Sequence, residues 1–175
     1  TALKAKDMAT AVAAYGKVIE LDPTNGNAML RLGQVYAATG KVDEAVASFE
    51  NAAANGMEKD AKKQLSNLFL KKAQAAVKAK KFQEAVDFAA KSNSYIETGN
   101  AYRMAATAYQ QLNKSAECIA SYEKYLELTP NAKDANGVKY TIAALAQTAG
   151  NKAKAKEYYQ MIVNDPKNGA IAKQQ

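Results

Sequence analysis

Apolar residues recur three and four positions apart along almost the whole chain, the spacing that puts side chains on one face of a helix. The stretch from Gly26 to Met57, GNAMLRLGQVYAATGKVDEAVASFENAAANGM, shows the pattern most fully. It predicts one amphipathic helix from Asn27 to Thr39, with Met29, Leu32, Gly33 and Tyr36 sharing a face, and a second from Val42 to Asn55, with Ala45, Val46, Phe49 and Ala52 sharing another. Gly33 and Ala45 stand where two helices approach closely, and Gly40-Lys41 breaks the chain between them. Such a pair cannot bury its apolar face alone and needs neighbours of the same kind.

The rest of the chain supplies them. Thr1–Lys6 reads as the tail of a helix whose beginning is missing, and Asp7–Leu21 as a second helix carrying Ala11, Val12, Tyr15, Val18 and Ile19 on one stripe. Leu21-Asp22-Pro23 ends it, and Thr24-Asn25-Gly26 turns into the next element. Glu58–Ala79 is one long helical pattern (Leu65, Leu68, Phe69, Ala73, Ala76), with Phe82–Lys91 as its short partner. Ser94-Tyr95-Ile96-Glu97 has the form of a capping box opening a helix that reaches Leu112 and carries Tyr102, Ala105, Ala106 and Tyr109. Lys114–Leu128 follows, with Cys118, Ile119, Tyr122, Tyr125 and Leu126 inward. Ala132–Ala149 and Lys152–Val163 form a last pair, stopped at Asp165-Pro166, and Gly169–Gln175 begins one more helix.

Aligning the small residue that precedes each aromatic by four gives Ala11, Ala45, Ala85, Cys118 and Ala155, at separations of 34, 40, 33 and 37 (45−11, 85−45, 118−85, 155−118). The residues four further on are Tyr15, Phe49, Ala89, Tyr122 and Tyr159. With this period, helix–turn–helix content, and Leu32-Gly33-x-x-Tyr36 and Ala45-x-x-x-Phe49 in place, the chain resembles the tetratricopeptide repeat family along nearly its whole length. Met29 replaces the family's usual tryptophan and Met57 its usual proline. The copy around Ala85 is divergent, with Ala73 and Ala76 in place of glycine and tyrosine and Lys80 in place of the inter-helix glycine. The expected organisation is one array: a truncated half repeat over 1–25, repeats over 26–57, 58–93, 94–131 and 132–167, and a capping fragment over 168–175. The resemblance implies an all-α fold, a right-handed superhelical stack of antiparallel helix pairs. First helices line the concave side, and the groove grips an extended peptide or a helix of another protein.

Positions on the first helices that avoid the packing stripe are therefore the candidate groove residues. They are Asn27, Leu30, Gln34 and Ala38, then Asn67, Leu70, Gln74 and Lys78, then Asn100, Arg103, Thr107 and Gln111, then Tyr140, Ala144, Gln147 and Thr148. Asn27, Asn67 and Asn100 fall at equivalent places, and Gln34, Gln74 and Thr107 follow each by seven residues, two helical turns on the same face. An amide carries both a donor and an acceptor and suits a peptide backbone. The same asparagines also fit helix starts or solvated sites. Arg103 resembles one member of the clamp with which some family members hold a terminal carboxylate, but no lysine–asparagine pair accompanies it and that function is not carried over.

Composition narrows the chemistry. Histidine is absent and Cys118 is the only cysteine, which removes the usual zinc sets, Cys/His nucleophiles and the Ser-His-Asp triad. No catalytic residue, cofactor or metal site is predicted, and the chain reads as non-catalytic. The net charge of +7 is uneven: residues 58–81 hold eight lysines against Glu58 and Asp60 (8−2 = +6), and residues 133–175 hold seven lysines against three acids (+4). Lys63, Lys71, Lys78 and Lys81 fall on one side of the long helical pattern, a bias toward acidic protein partners. Nucleic acid is disfavoured, because that side has no arginine and no interleaved aromatics for base stacking. No apolar run has the length of a membrane span. Self-association through open array ends is the expectation of a different class, with the array as a spacer within a larger protein or complex. The start at Thr1 and the histidine-free, alanine- and lysine-rich composition lean toward a bacterial, exported chain over a cytoplasmic one.

Overall fold

The structure, a computed structural model, describes residues 2–173, without the side chains of residues 2–6 and 171. All regular structure in the described residues is helical: α1 (Ala2–Leu21), α2 (Gly26–Ala38), α3 (Val42–Ala52), α4 (Glu58–Lys78), α5 (Phe82–Tyr95), α6 (Gly99–Gln111), α7 (Ser115–Leu128), α8 (Ala135–Thr148), α9 (Lys152–Gln160) and the single turn α10 (Gly169–Ala172). The repeat period is written into the turns. Each of the connections α2–α3, α4–α5, α6–α7 and α8–α9 has three residues, and the middle one is left-handed: Gly40 (φ 80°), Lys80 (φ 59°), Asn113 (φ 57°) and Gly150 (φ 78°).

The same hydrogen bonds close all four. The N–H of the third turn residue reaches back five positions, Lys41 to Tyr36, Lys81 to Ala76, Lys114 to Tyr109 and Asn151 to Ala146, at 2.8–3.0 Å. The left-handed residue donates three positions back, to Ala37, Val77, Gln110 and Gln147. This is the Schellman closure, which satisfies carbonyls that the helix end leaves bare. Five residues beyond each left-handed position lies the small residue of the repeat, Ala45, Ala85, Cys118 and Ala155, each buried. Seven residues before it lies another, Gly33, Ala73, Ala106 and Ala143, also buried.

The chain divides into two compact units, the first holding residues up to Phe69 with Ser94–Ile96, the second Leu70–Asn93 with Glu97 onward, so that the division falls within α4 and near the end of α5. In the first unit Ala28, Met29 and Leu30 of α2, Ala45, Phe49 and Ala52 of α3, and Ala61, Leu65, Leu68 and Phe69 of α4 form the buried apolar set. A Cβ on Gly33 would lie 2.7 Å from the Phe49 ring, so only glycine admits that ring. Gly56, at φ 84°, breaks the helical path between α3 and α4. In the second unit small residues line the contacts of α4, α5 and α6 (Ala73, Ala89, Ala101 and Ala105; Ala76, Ala85, Val86 and Ala108). Larger side chains fill the interior of α6–α9, among them Tyr122, Tyr125, Ile142, Tyr159 and Ile162.

Several expectations change. The expected break at Lys6-Asp7 does not exist, since α1 runs unbroken; its stripe is only half-buried, with Val18 40% exposed, and Leu21 at its end is 77% exposed. The capping box at Ser94 is replaced by a longer α5, which continues to Tyr95. The Tyr95 ring stacks on Phe69 (centroids 6.0 Å apart), its hydroxyl donates to Glu50 (3.2 Å), and Ser66 donates to the Ile96 carbonyl. The N-cap of α6 is Thr98, whose hydroxyl accepts from the Ala101 N–H, while Glu97 accepts from the Tyr102 hydroxyl (2.6 Å). The last pair is shorter than expected, with α8 beginning at Ala135 and α9 ending at Gln160. Thr1 and the continuation toward Gln175 lie outside the described residues.

Candidate functional site

The candidate groove residues fall in both units. In the first, Asn27 and Asn67 are exposed, and Gln34 is half-buried and accepts from Arg31 (3.2 Å). Leu30 is a correction: at 6% exposure it belongs to the buried apolar set with Ala28 and Met29 and offers almost no surface to a partner. Neither Asn27 nor Asn67 starts a helix. Asn25 caps α2, accepting from the Ala28 N–H at 3.0 Å, and Asn67 lies in mid-α4. The Asn27 and Asn67 side chains are both exposed, as a solvated site and a groove contact alike require.

The second unit brings more of the set together. Leu70 and Gln74 lie one turn apart on α4, and Asn100, Arg103 and Met104 share a face of α6. These five residues line a cleft of about 240 Å³. Leu70 and Met104 are half-buried against the Ala73–Ala89–Ala101–Ala105 cluster and form an apolar floor. The carboxamides of Gln74 and Asn100 are exposed. Arg103, 47% exposed, is held: its Nη2 lies 2.8 Å from Asp134 Oδ2, and its guanidinium sits over the Tyr125 ring at 5.7 Å. The Tyr125 hydroxyl donates to the other oxygen of Asp134 at 2.6 Å. Burial, reinforced by that carboxylate, pushes the Tyr125 hydroxyl above its ordinary value. Asp134 occupies the N-cap position of α8 but gives its carboxylate to these two groups instead of to its own helix.

The remaining candidates do not join this cleft. The Thr107 hydroxyl is turned to the Arg103 carbonyl (2.9 Å), and Lys78 and Gln111 are exposed. Tyr140, one of the candidate groove residues, is half-buried and meets the Tyr159 ring edge-on at 6.0 Å. Gln147 accepts from the Tyr159 hydroxyl (3.0 Å) and, with Lys152, Lys156 and Gln160, borders a separate hollow beside α9. Sequence reasoning missed Met104 and Asp134. Met104 was legible as the residue one turn beyond Asn100, whereas Asp134 sits in an aperiodic connection where spacing carries no signal.

Of the lysines expected on one side, Lys63, Lys71 and Lys78 are exposed and Lys81 is exposed but paired; their neighbours are partly engaged. Lys62 pairs with Glu58, Lys81 with Glu84 (3.0 Å), and Lys72 lies 5.2 Å over the Phe88 ring. Among the described residues no three His, Cys, Asp or Glu side chains converge as metal ligands, and no helix is long and apolar enough to cross a membrane.

Helix pairs closed by identical turns, with a half-apolar, amide-walled cleft between two first helices, define a helical-repeat interaction protein. Residues 2–62 and residues 99–132 match two profiles described as tetratricopeptide repeat, and together these span more than half of the chain. The chain belongs to the tetratricopeptide repeat family. No curated protein matches it. Among solved structures it is similar to MamA (20% identity over 96% of this chain and 94% of that one, TM-score 0.52). It is also similar to YrrB, described as a TPR protein with an unusual peptide-binding site (21%, 98% and 86%, TM-score 0.52), and to pilF of Pseudomonas aeruginosa (18%, 97% and 74%, TM-score 0.50). At these identities the likeness is one of fold. The family and fold are those of protein–protein interaction scaffolds.

Proposed function

We propose that the chain holds a peptide segment of a partner protein in the cleft between α4 and α6, without catalysis. The observation that carries this is the cleft of Leu70, Gln74, Asn100, Arg103 and Met104, where an apolar floor lies between two exposed carboxamides. Apolar area supplies affinity and the amides supply orientation, the usual division in a binding site. Exposed Lys71 and Lys78 on α4 add long-range attraction for an acidic partner, an attraction that salt weakens. The test is Gln74→Ala with Asn100→Ala against a partner segment isolated by peptide display. Loss of about tenfold in Kd with an unshifted Tm is expected; unchanged affinity sinks the reading.

Self-association is the second reading, favoured by the exposed Val18 and Leu21 side chains on α1. Sedimentation velocity over a wide concentration range decides it. A rising sedimentation coefficient that Leu21→Lys abolishes supports it, and a constant monomer rules it out.

A further inference from the structure

The cleft contains an arginine, and an arginine in a groove ordinarily reads as an anchor for a partner's carboxylate. The geometry here says otherwise. Both oxygens of Asp134 are engaged, Oδ2 by Arg103 at 2.8 Å and Oδ1 by the Tyr125 hydroxyl at 2.6 Å, and the guanidinium is additionally seated over the Tyr125 ring. Tyr125 is itself 4% exposed, so the anchor behind the pair is a core side chain. The charge that Arg103 brings to the cleft wall is therefore matched from within the protein. An incoming carboxylate would have to displace Asp134 or share the guanidinium with it, leaving two like charges side by side. The rest of the lining, Leu70, Met104, Gln74 and Asn100, is uncharged.

We infer that this cleft receives one uncharged aliphatic side chain of an extended partner segment, and that Asp134 sets this preference by neutralising Arg103. The reading rests on the peptide-binding function proposed above and specifies its ligand. A cleft of about 240 Å³ has room for a side chain of leucine or isoleucine size, and its apolar floor of two residues is enough to seat one. The bound segment is extended, not helical. Carboxamides bond free peptide N–H and C=O groups, and in a helix interior those groups are already paired with one another. The lysines of α4 are compatible with this: they draw acidic residues elsewhere on the partner, while the anchor itself is neutral. Asp134 is a positioning residue, acting on the ligand through Arg103.

The experiment selects random dodecapeptides displayed on phage against the full chain. The expected outcome is a consensus with an aliphatic residue at one position. Binding of the corresponding synthetic peptide shifts the ¹³C-methyl resonance of Met104, assigned with Met104→Leu. Changing the aliphatic residue to glutamate weakens Kd by about tenfold or more, because a charge enters a neutral, half-buried site. In Asp134→Asn, which keeps an acceptor for Tyr125 and whose fold is checked by circular dichroism, the same glutamate peptide comes within about threefold of the aliphatic one. Adding Arg103→Gln to Asp134→Asn restores the discrimination. A consensus with an acidic anchor in the wild type, an unmoved Met104 methyl, or a glutamate penalty unaltered by Asp134→Asn each overturns the inference while leaving peptide binding intact. Failure to enrich any sequence overturns peptide binding itself, and this inference with it.

Discussion

The Phe49 ring lies directly against the Cα of Gly33, in the space where a side-chain carbon would stand 2.7 Å from two of its ring atoms. Phe49 is 1% exposed and cannot swing away. Gly33→Ala therefore forces the ring or the α2–α3 spacing to move. Overpacking of this kind costs about 1–3 kcal/mol, from which the better helix propensity of alanine returns up to about 1 kcal/mol. Urea unfolding measures the net loss. Combining Gly33→Ala with Phe49→Leu should recover part of it, and simple additivity of the two losses would refute the steric account.

Lys80 and Asn113 occupy the left-handed turn position that Gly40 and Gly150 fill elsewhere. A lysine side chain is strained there, so Lys80→Gly should raise stability by about 1 kcal/mol, with a smaller gain for Asn113→Gly because asparagine tolerates this region. Gly40→Ala should lower it by a similar amount, since nothing lies within 4 Å of the added carbon and the cost is purely conformational. Thermal denaturation of the three variants checks the order.

Burial pushes the Cys118 thiol up from its ordinary 9.0 to about 11, and its Sγ lies 3.3 Å from the Ala106 carbonyl. The native thiol should resist alkylation at pH 8 and react only when the chain unfolds. A group whose ionisation is suppressed by folding contributes fully below the ordinary thiol range and loses that contribution as pH rises from about 9 through about 11. The difference in unfolding free energy between wild type and Cys118→Ala, the residue at the equivalent position of the other pairs, should shift by about 2–3 kcal/mol across that window. A pH-independent difference would contradict it.

Leu30 and Asn27 were candidates of equal standing in the sequence, and the structure separates them. Leu30→Ala should cost about 2–5 kcal/mol, as truncation of a buried leucine does, whereas Asn27→Ala should stay within about 0.5 kcal/mol. Chemical denaturation of the two variants distinguishes core from surface.

The architecture was legible because it repeats. Ala45, Ala85, Cys118 and Ala155 marked the second helices by spacing alone, and each proves buried five residues beyond a left-handed turn. What failed to be legible lies where a local signal competes with a distant contact. Ser94 and Glu97 have the residue types of a capping box, yet stacking of Tyr95 on Phe69 holds another turn of α5 and moves the cap to Thr98. Leu30 sits off the main stripe of α2, and helix phase alone gives no sign that it is buried. The cleft itself was half visible: Leu70, Gln74, Asn100 and Arg103 followed from helix phase, while the partner of Arg103 lies 31 residues along the chain (134−103) in an irregular connection.

The four within-pair connections never vary from three residues, whereas the connections between pairs, residues 22–25, 53–57, 96–98, 129–134 and 161–168, range from three to eight. Main-chain hydrogen bonding closes the former so completely that an added residue has no conformation to adopt without opening the Schellman bonds. The latter carry no such common closure. This amounts to a grammar for altering the molecule: epitopes, fluorophore sites and spacer segments belong between pairs, where length is already elastic, and one extra residue beside Gly40, Lys80, Asn113 or Gly150 should be worse tolerated than several after Pro130.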